Sequence, residues 1–236
     1  MNTALFDLDG TLMPTDEETF VKVYFGELCK KLVPMGFDAD ALVNAIWTGT
    51  KAMVLNDGTH TNQDVFWAKF AELMDCDIEK TREACDSFYA NEFDSVKRIV
   101  GPAPLTPLLI SGLREKGYML VLATNPVFPR VAVETRLGWV GLKASDFSYI
   151  TSYENSHFCK PNLKYYDEIL VAIGREANDC LMVGNNVGED MCFRELGGEV
   201  FLLTDHIENP QKLSMDGIKQ GSAGELKAYL DSLASV

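Results

Sequence analysis

Four short apolar runs, each followed at once by small or polar residues, constrain the fold of this chain more than any other feature of its sequence. They cover residues 4–6, 119–123, 180–183 and 200–203, and a weaker run covers residues 147–151. Short runs that are apolar throughout are typical of parallel strands buried on both faces. Helical patterns lie between them, at residues 104–116 and 162–173. This alternation predicts an α/β fold with an open parallel sheet and right-handed crossovers.

Residues 15–100 interrupt the alternation. No run in this stretch resembles a strand, and apolar residues recur at helical spacing, as in Phe20 and Tyr24. We therefore predict a core formed by residues 1–14 and 101–236, with an α-helical domain inserted between its two parts.

The charge and composition narrow the possible functions. The chain has 35 acidic and 21 basic residues, a formal net charge of −14, and 47% apolar residues, enough for a packed core. A field this negative repels nucleic acids and anionic membrane surfaces, so we expect neither as a partner. An anionic substrate then needs a local positive site, because the protein as a whole offers none.

The cysteines and the N-terminal residues indicate in which cellular compartment we expect the protein. The six cysteines form no CxxC pair, which is typical of reduced thiols. The N-terminus lacks the basic start and long apolar run of a signal peptide, and no other run is long enough to span a membrane. We therefore expect a soluble cytoplasmic protein. The sequence leaves its oligomeric state open.

Polar residues follow the predicted strands. In open α/β sheets, ligands bind beyond the carboxyl ends of the strands, so these residues should converge on one edge. They include carboxylates, hydroxyls, amides and a lysine: Asp7, Asp9, Gly10, Thr11, Thr124, Asn125, Lys160, Asn185, Asn186, Glu189 and Asp190. Such a set predicts a phosphate site.

Several of these side chains have a distinct use in phosphoryl transfer. Asp7 can attack phosphorus and become an aspartyl phosphate, which divides one hard displacement into two easier ones. Asp9 can protonate the leaving oxygen and then deprotonate a water. Asp7 and the acidic turn at residues 189–190 offer magnesium the hard oxygen ligands that it needs. Thr124 and Lys160 can balance the charge of the phosphoryl oxygens.

Four segments resemble, in order, the sequence motifs of the haloacid dehalogenase superfamily. They are DLDGTL at residues 7–12, TN at 124–125, KP at 160–161 and VGNNVGED at 183–190. The resemblance implies a Rossmann-like core whose helical insertion is a cap domain. It also implies a magnesium-dependent phosphohydrolase with Asp7 as nucleophile and Asp9 as acid/base. The dehalogenases of this superfamily lack the second aspartate and use no metal, so Asp9 favours phosphate chemistry.

With this resemblance, we predict the binding residues. The phosphate would contact Asp7, Gly10, Thr11, Thr124, Asn125 and Lys160. The predicted magnesium ligands are Asp7, the main-chain carbonyl of Asp9, Asn186 and Asp190. Relatives commonly have an aspartate four residues before the second acid, where this chain has the neutral Asn186. The sequence leaves open which of Asn185, Asn186, Glu189 and Asp190 contacts the metal directly.

The predicted activity is hydrolysis of a small phosphorylated metabolite, whose identity the sequence does not disclose. Three alternatives remain open. A phosphosugar mutase shares Asp7 and Asp9 and differs in what accepts the phosphoryl group. A phosphonate-cleaving enzyme is less favoured, because it needs a cap lysine for a Schiff base and nothing in the sequence marks Lys51 or Lys69 as buried. A protein that binds a phosphorylated ligand without turnover would explain the neutral amides of the fourth motif.

A polar loop at residues 56–61 of the insertion allows two interpretations. In one, it is a surface turn in which Thr61 caps the next helix. In the other, it reaches over the site and selects the substrate through Asn56, Asp57 and His60.

Overall fold

The computed structural model describes residues 1–236, apart from the side chain of Glu17. Its centre is a sheet of six parallel strands in the order β3-β2-β1-β4-β5-β6. The strands are β1 (Thr3–Phe6), β2 (Met119–Leu122), β3 (Tyr149–Ile150), β4 (Cys180–Gly184), β5 (Glu199–Leu203) and β6 (Lys219–Gly221). The predicted open α/β sheet is confirmed.

The two edges of the sheet are its least regular parts. The weak apolar run forms β3, which is only two residues long. The sequence does not predict β6, because two of its three residues are exposed and polar and therefore leave no apolar run.

Helices cover both faces of the sheet. In β1, Ala4 and Phe6 contribute to one apolar cluster, whereas Leu5 contributes to another on the opposite face. Three helices of the core contribute to the first cluster, namely α5 (Thr106–Glu115), α6 (Arg130–Trp139) and α8 (Ala223–Ser232), and the helices of the insertion extend it. The second cluster is supplied by α7 (Leu163–Ile173) and the 3₁₀ turn Met191–Leu196. Strands buried on both faces explain why their sequences are apolar throughout.

The helices predicted at residues 104–116 and 162–173 are α5 and α7, and both are confirmed. Asn162 caps the start of α7 by accepting a hydrogen bond from the Lys164 N–H. Gly174 ends α7 in the left-handed region, at φ 63°, where a residue without Cβ is favoured.

Four helices occupy the insertion: α1 (Glu17–Leu32), α2 (Ala39–Val54), α3 (Asn62–Leu73) and α4 (Ile78–Asn91). Each begins after a residue whose side chain accepts a hydrogen bond from a backbone N–H of the first turn; these residues are Asp16, Asp38, Thr61 and Asp77. Each such cap stabilises a helix by about 1 kcal/mol. Besides the 3₁₀ turn Met191–Leu196, the chain has four others, at Val33–Met35, Phe93–Ile99, Ala144–Asp146 and Ala177–Asp179.

Aromatic side chains join the insertion to the sheet-containing part. The Tyr24 and Tyr89 hydroxyls lie 2.6 Å apart in the centre of the helices. The Phe93 ring packs against Trp139 of α6, with 5.1 Å between ring centroids. The Trp139 indole donates a 2.7 Å hydrogen bond to Asp94. The helical insertion is therefore packed on the core through a continuous apolar cluster.

The chain enters and leaves the insertion at one place. The Gly101 N–H donates a 2.8 Å hydrogen bond to the Pro14 carbonyl. Boundaries at residues 14–15 and 100–101 stay a prediction.

Two further features concern the helices and the cysteines. None of the helices described is both long and apolar enough to cross a membrane. The six cysteines are free thiols in the described structure.

Candidate active site

The loop after β1 brings the first two aspartates to the edge of the sheet. Asp7 continues the strand, and its N–H donates a 2.9 Å hydrogen bond to the Val183 carbonyl of β4. The chain then turns tightly at Gly10, whose φ is 76°. A Cβ at Gly10 would also collide with the Asn185 carboxamide, so the glycine serves both the turn and the close approach of the two loops.

A buried lysine joins the first and fourth motifs. The Lys160 ammonium donates hydrogen bonds to Asp7 Oδ1 over 2.9 Å and to Asp190 Oδ1 over 2.7 Å. The exposed fractions of the Lys160, Asp7 and Asp190 side chains are 1%, 11% and 1%. Burial alone would lower the pKa of Lys160, but the Asp190 and Asp7 carboxylates outweigh it and hold this pKa well above its ordinary value. The lysine therefore stays charged at the floor of the site.

Thr11 connects Asp7 to the fourth motif from the other side. Its Oγ1 lies 3.2 Å from Asp7 Oδ2 and 2.9 Å from Asn185 Oδ1. The hydroxyl has a single proton, so it donates to one of these oxygens at a time. Thr11 thus fixes the distance between the nucleophile candidate and Asn185.

The two asparagines of the fourth motif have different surroundings. Asn185 donates through Nδ2 to the His206 carbonyl over 2.7 Å, which leaves its Oδ1 facing Thr11. Asn186 instead accepts hydrogen bonds on Oδ1 from the Gly188 and Glu189 N–H groups, over 3.0 and 2.9 Å. The turn is tight, because a Cβ at Gly184 would collide with the Asp190 carboxylate. The structure therefore brings the Asn185 amide, and not the Asn186 amide, into contact with Thr11, which also contacts Asp7.

Asp9 is held by an arginine that the motifs do not include. Arg136 of α6 donates a 2.6 Å hydrogen bond from Nη1 to Asp9 Oδ2. The Arg136 side chain is 1% exposed, and its guanidinium carbon lies 4.4 Å from the Phe128 ring centroid and 5.8 Å from that of Phe20. Burial raises the pKa of Asp9, while the Arg136 charge opposes the rise. Asp9 Oδ1 and Arg136 Nη2 are buried, and neither has a hydrogen-bond partner among the described residues.

The second motif closes the site from the β2 side. Thr124 is buried, and its carbonyl accepts hydrogen bonds from the Thr151 and Tyr165 hydroxyls over 2.7 and 2.9 Å. Asn125 donates through Nδ2 to Glu189 Oε2 over 3.1 Å. Burial raises the pKa of Glu189 to about 7.

These residues surround a cavity of about 180 Å³. Those predicted from the sequence that line it are Asp7, Asp9, Gly10, Thr124, Asn125, Asn185, Asn186, Glu189 and Asp190. Lys160 lies behind Asp7 and Asp190, and Thr11 lies behind Asp7 and Asn185. Every charged residue of the lining is acidic.

The donor atoms suit magnesium. Among the described residues, no group of three or more carboxylate, imidazole or thiolate side chains is arranged to hold a metal ion. Magnesium does not need such a group, because it is commonly bound by one or two carboxylates together with neutral oxygens and water. Asp7 supplies a carboxylate, and the Asp9 carbonyl and Asn185 Oδ1 are neutral oxygens. Asp9 is two residues from Asp7 in the chain, and Asn185 Oδ1 shares the Thr11 hydroxyl with Asp7 Oδ2.

Two features of the insertion bear on the alternatives. The 56–61 loop packs on the core, because the Asn62 N–H donates to the Ser156 carbonyl over 2.8 Å and a Cβ at Gly58 would collide with the Phe158 ring. Its polar residues line neither this cavity nor the one that adjoins it, and Thr61 caps α3, which favours the surface-turn interpretation. Lys51 is exposed and Lys69 pairs with Glu72 at the surface, so neither resembles a buried Schiff-base lysine.

Comparison with known proteins places the chain in a family. A family model described as haloacid dehalogenase-like hydrolase matches residues 1–191. The chain belongs to the haloacid dehalogenase-like hydrolases. A relative in Agrobacterium fabrum, named phosphoglycolate phosphatase, is 24% identical over 191 residues, which are 81% of this chain and 75% of that protein.

Solved structures show that this hydrolase has the family fold. A HAD phosphatase from Thermococcus onnurineus matches with a TM-score of 0.62 at 18% identity, covering 100% of both chains. The L-2-haloacid dehalogenase of Xanthobacter autotrophicus matches with a TM-score of 0.61 at 11% identity, covering 99% of this chain and 100% of that one. YfnB of Bacillus subtilis, described as bound to magnesium, matches with a TM-score of 0.56 at 18% identity over 98% of both chains. Because phosphatases and dehalogenases share this fold, the fold alone does not distinguish between the two activities.

The sequence motifs predict most residues of this hydrolase's candidate site, but not all of them. Asp7, Lys160 and Asp190 form the buried ion group; Asp7 and Asp190 follow the neighbouring strands β1 and β4, and Lys160 comes from the loop after β3. Arg136 belongs to none of the sequence motifs, because in the sequence it resembles any basic residue of a helix. One feature of the sequence does indicate its role. Arg136 lies among the apolar positions of α6, between Val133 and Leu137, and a charged side chain buried there needs a partner.

Proposed function

We propose that this hydrolase is a magnesium-dependent phosphatase in which Asp7 forms an aspartyl phosphate. The observation that carries the proposal is that the Asp7 and Asp9 carboxylates line one cavity while a buried lysine holds Asp7 from behind. This arrangement offers a nucleophile, a proton donor and a local positive charge at one place. The site resembles those of phosphatases in the superfamily, because dehalogenases lack the second aspartate.

The first chemical step uses both aspartates. An Asp7 oxygen attacks the phosphorus of the substrate as the bond from phosphorus to the alcohol oxygen breaks. Asp9 gives its proton to that oxygen, and the alcohol leaves. Lys160, which stays charged, offsets part of the negative charge on Asp7 and the phosphoryl group.

The second step restores the enzyme. The Asp9 carboxylate takes a proton from a water molecule whose oxygen attacks the phosphorus. The bond between Asp7 and phosphorus breaks, and inorganic phosphate leaves. Asp9 is then protonated and Asp7 is a free carboxylate, as at the start.

The proposed magnesium ligands are Asp7, the Asp9 carbonyl, Asp190 and Asn185. Asn185 replaces the Asn186 expected from motif spacing, because its Oδ1 faces Thr11 and Asp7. Asp190 acts directly or through water, since its Oδ1 already accepts from Lys160. Magnesium would neutralise the repulsion between Asp7 and the phosphoryl oxygens.

The proposed substrate is a small phosphorylated metabolite, and the proposed cap is residues 15–100. Phe20 and Val21 of α1 lie over the cavity, where a cap excludes water during the first step. Because the Agrobacterium relative is named phosphoglycolate phosphatase, phosphoglycolate belongs in any substrate panel.

The test is phosphate release from a metabolite panel and from p-nitrophenyl phosphate, with magnesium or with EDTA. Asp7→Asn should abolish turnover and the acid-stable phosphoenzyme seen by mass spectrometry, because an amide cannot form the aspartyl phosphate. Asp75→Asn, at an exposed position outside the site, is the matched control. Wild-type turnover by Asp7→Asn, or no turnover of any compound by the wild type, would refute the proposal.

A further inference from the structure

A second cavity, of about 290 Å³, adjoins the catalytic one and lies among the helices of the insertion. We propose that it receives the leaving group of the substrate, and that this group is uncharged and largely apolar, such as an aryl or extended alkyl alcohol. The inference rests on the proposed phosphatase function and adds the substrate class to it.

The two cavities share a boundary. Val21 of α1 and Asn125, Val127, Phe128 and Glu189 of the core line both of them. A phosphoryl group bound at Asp7 therefore has its ester oxygen directed either to solvent or to the shared boundary. A leaving group that crosses this boundary enters the second cavity.

The lining of the second cavity is aromatic and aliphatic. Tyr24 and Phe25 of α1, Trp47 of α2, and Phe66 and Trp67 of α3 are among its residues. An apolar cavity of roughly 150 Å³ holds benzene in a well-studied protein. The volume here is about 290 Å³, which is enough for a bicyclic aromatic group.

The charges exclude an anionic leaving group. Glu189 is the one charged residue among those that line the second cavity, and it lies at the shared boundary. The described lining of both cavities has no lysine, arginine or histidine. Two buried cations are already engaged, Lys160 by Asp7 and Asp190 and Arg136 by Asp9. The Arg82 guanidinium stacks on Trp67, with 5.5 Å from its carbon to the ring centroid, but Arg82 does not line the cavity. A carboxylate moved from water into this cavity would have no cationic partner among the lining residues, which is unfavourable.

The mouth of the cavity is itself apolar. Trp47 is 48% exposed and Val54 is 41% exposed, and both line the cavity from α2. The Trp47 ring packs edge-on against Phe25, with 5.5 Å between centroids. Large apolar side chains grouped at a concave opening are typical of a ligand site.

The test is calorimetric binding of non-hydrolysable phosphonates with magnesium present. Because these compounds are not turned over, it measures the contribution of the leaving group to affinity separately from the catalytic rate. The probes are methylphosphonate, 1-naphthylmethylphosphonate and 3-phosphonopropionate, which differ in the group attached to the phosphonate. The wild type should bind the naphthyl compound at least tenfold more tightly than methylphosphonate. The carboxylate compound should bind no more tightly than methylphosphonate.

Two variants of α2 locate the preference. Thr50 lines the cavity, so Thr50→Phe places a ring inside it and should reduce the naphthyl preference at least tenfold. Thr48 is on the same helix but does not line the cavity, so Thr48→Phe should leave the preference unchanged. If Thr50→Phe does not fold, the wild-type comparison of the three phosphonates still decides.

The outcomes distinguish the two proposals. If methylphosphonate binds and aryl phosphates are hydrolysed, but the naphthyl group adds no affinity, the leaving-group inference is wrong and the phosphatase proposal stands. The leaving-group inference is also wrong if the carboxylate compound binds most tightly of the three. It is wrong as well if the insertion closes, fills the cavity and excludes the naphthyl group. If no phosphonate binds and no phosphate ester is hydrolysed, both proposals fall.

Discussion

Arg136 donates a 2.6 Å hydrogen bond to Asp9 from a guanidinium that is 1% exposed and lies against two aromatic rings. One ring belongs to Phe20 of α1 and the other to Phe128 of the core. Arg136 does not line the cavity of the candidate site, whereas Asp9 does. The arginine is therefore a positioning residue, and it links the orientation of the proposed acid/base to the packing of the insertion.

Replacing Arg136 should disturb both the position and the pKa of Asp9. Arg136→Met should lower kcat on the order of 10-fold to 100-fold, since misplacing a reacting group by 1 Å has effects of this size. The Arg136 charge opposes the raised pKa of Asp9, so its loss should raise that pKa further. In the proposed mechanism Asp9 donates its proton in the first step, so the alkaline limb of kcat/KM should move to higher pH.

Arg130→Met is the matched control for this experiment. Arg130 is on the same helix but forms a surface ion pair with Glu134, with 40% of its side chain exposed. It should leave the pH profile unchanged. An unmoved alkaline limb in Arg136→Met would show that the arginine has a structural role only.

Asp9→Asn should slow the reaction in proportion to how much the leaving group needs a proton. With an alkyl phosphate, the loss should be on the order of 10²- to 10⁴-fold, the usual contribution of a positioned general acid. With p-nitrophenyl phosphate, whose leaving oxygen is weakly basic, the loss in the first step should be much smaller. Burst kinetics on the two substrates provide the comparison, and equal losses on both would contradict the acid role of Asp9.

Lys160→Met should destabilise the protein without metal, because it leaves two buried carboxylates, Asp7 and Asp190, unpaired. Removing one partner of a buried ion pair costs about 3–5 kcal/mol. Burial raises the pKa of Asp190 even with the lysine present, and without Lys160 it should rise further. A carboxyl whose folded-state pKa is raised stabilises the fold at low pH and loses that effect as pH rises through this pKa.

The deficit of Lys160→Met should therefore be larger at pH 8 than at pH 5. Urea unfolding of the variant and the wild type at both pH values measures it. Lys69→Met, at a surface pair on α3, should cost less than about 1 kcal/mol at either pH. A deficit that does not grow with pH would mean that Asp7 and Asp190 are not left buried and charged.

The sequence predicts those parts of the site that depend on strand ends. Asp7 follows β1 and Asp190 follows β4, and these strands are neighbours, so their residues meet at one edge. Lys160 can be predicted as well, because it follows β3 in the chain and belongs to one of the motifs. These residues are predictable because a parallel sheet fixes where the ends of its strands lie.

Contacts that depend on side-chain direction escape such reasoning. Asn185 and Asn186 are chemically identical and adjacent, and only the fold of the turn directs one toward Thr11 and the other toward the Gly188 and Glu189 N–H groups. Arg136 meets Asp9 across 127 residues, because α6 packs beneath the first loop. The second cavity cannot be predicted from the sequence either, because most of its aromatic residues belong to helices of the insertion and fit the spacing of ordinary packed helices.

The last prediction concerns the two asparagines. Asn185→Asp should tighten magnesium binding by about tenfold or more, because it adds a charge beside Asp7 in a site where Coulomb terms exceed their value in water. Without metal the same variant should be less stable, since the new carboxylate loses the hydrogen bond to the His206 carbonyl and faces Asp7. Magnesium titration by calorimetry, and thermal melting with and without magnesium, measure the two effects.

Asn186→Asp is the matched control, because it makes the same change one residue away. Its side chain accepts from the Gly188 and Glu189 N–H groups, which an aspartate can also do, but its Nδ2 donates to Glu208 over 3.0 Å, which an aspartate cannot. The variant should therefore lose stability without gaining magnesium affinity. If Asn186→Asp tightens magnesium binding and Asn185→Asp does not, the spacing of the family motif is the better guide, and the turn reorganises when the metal binds.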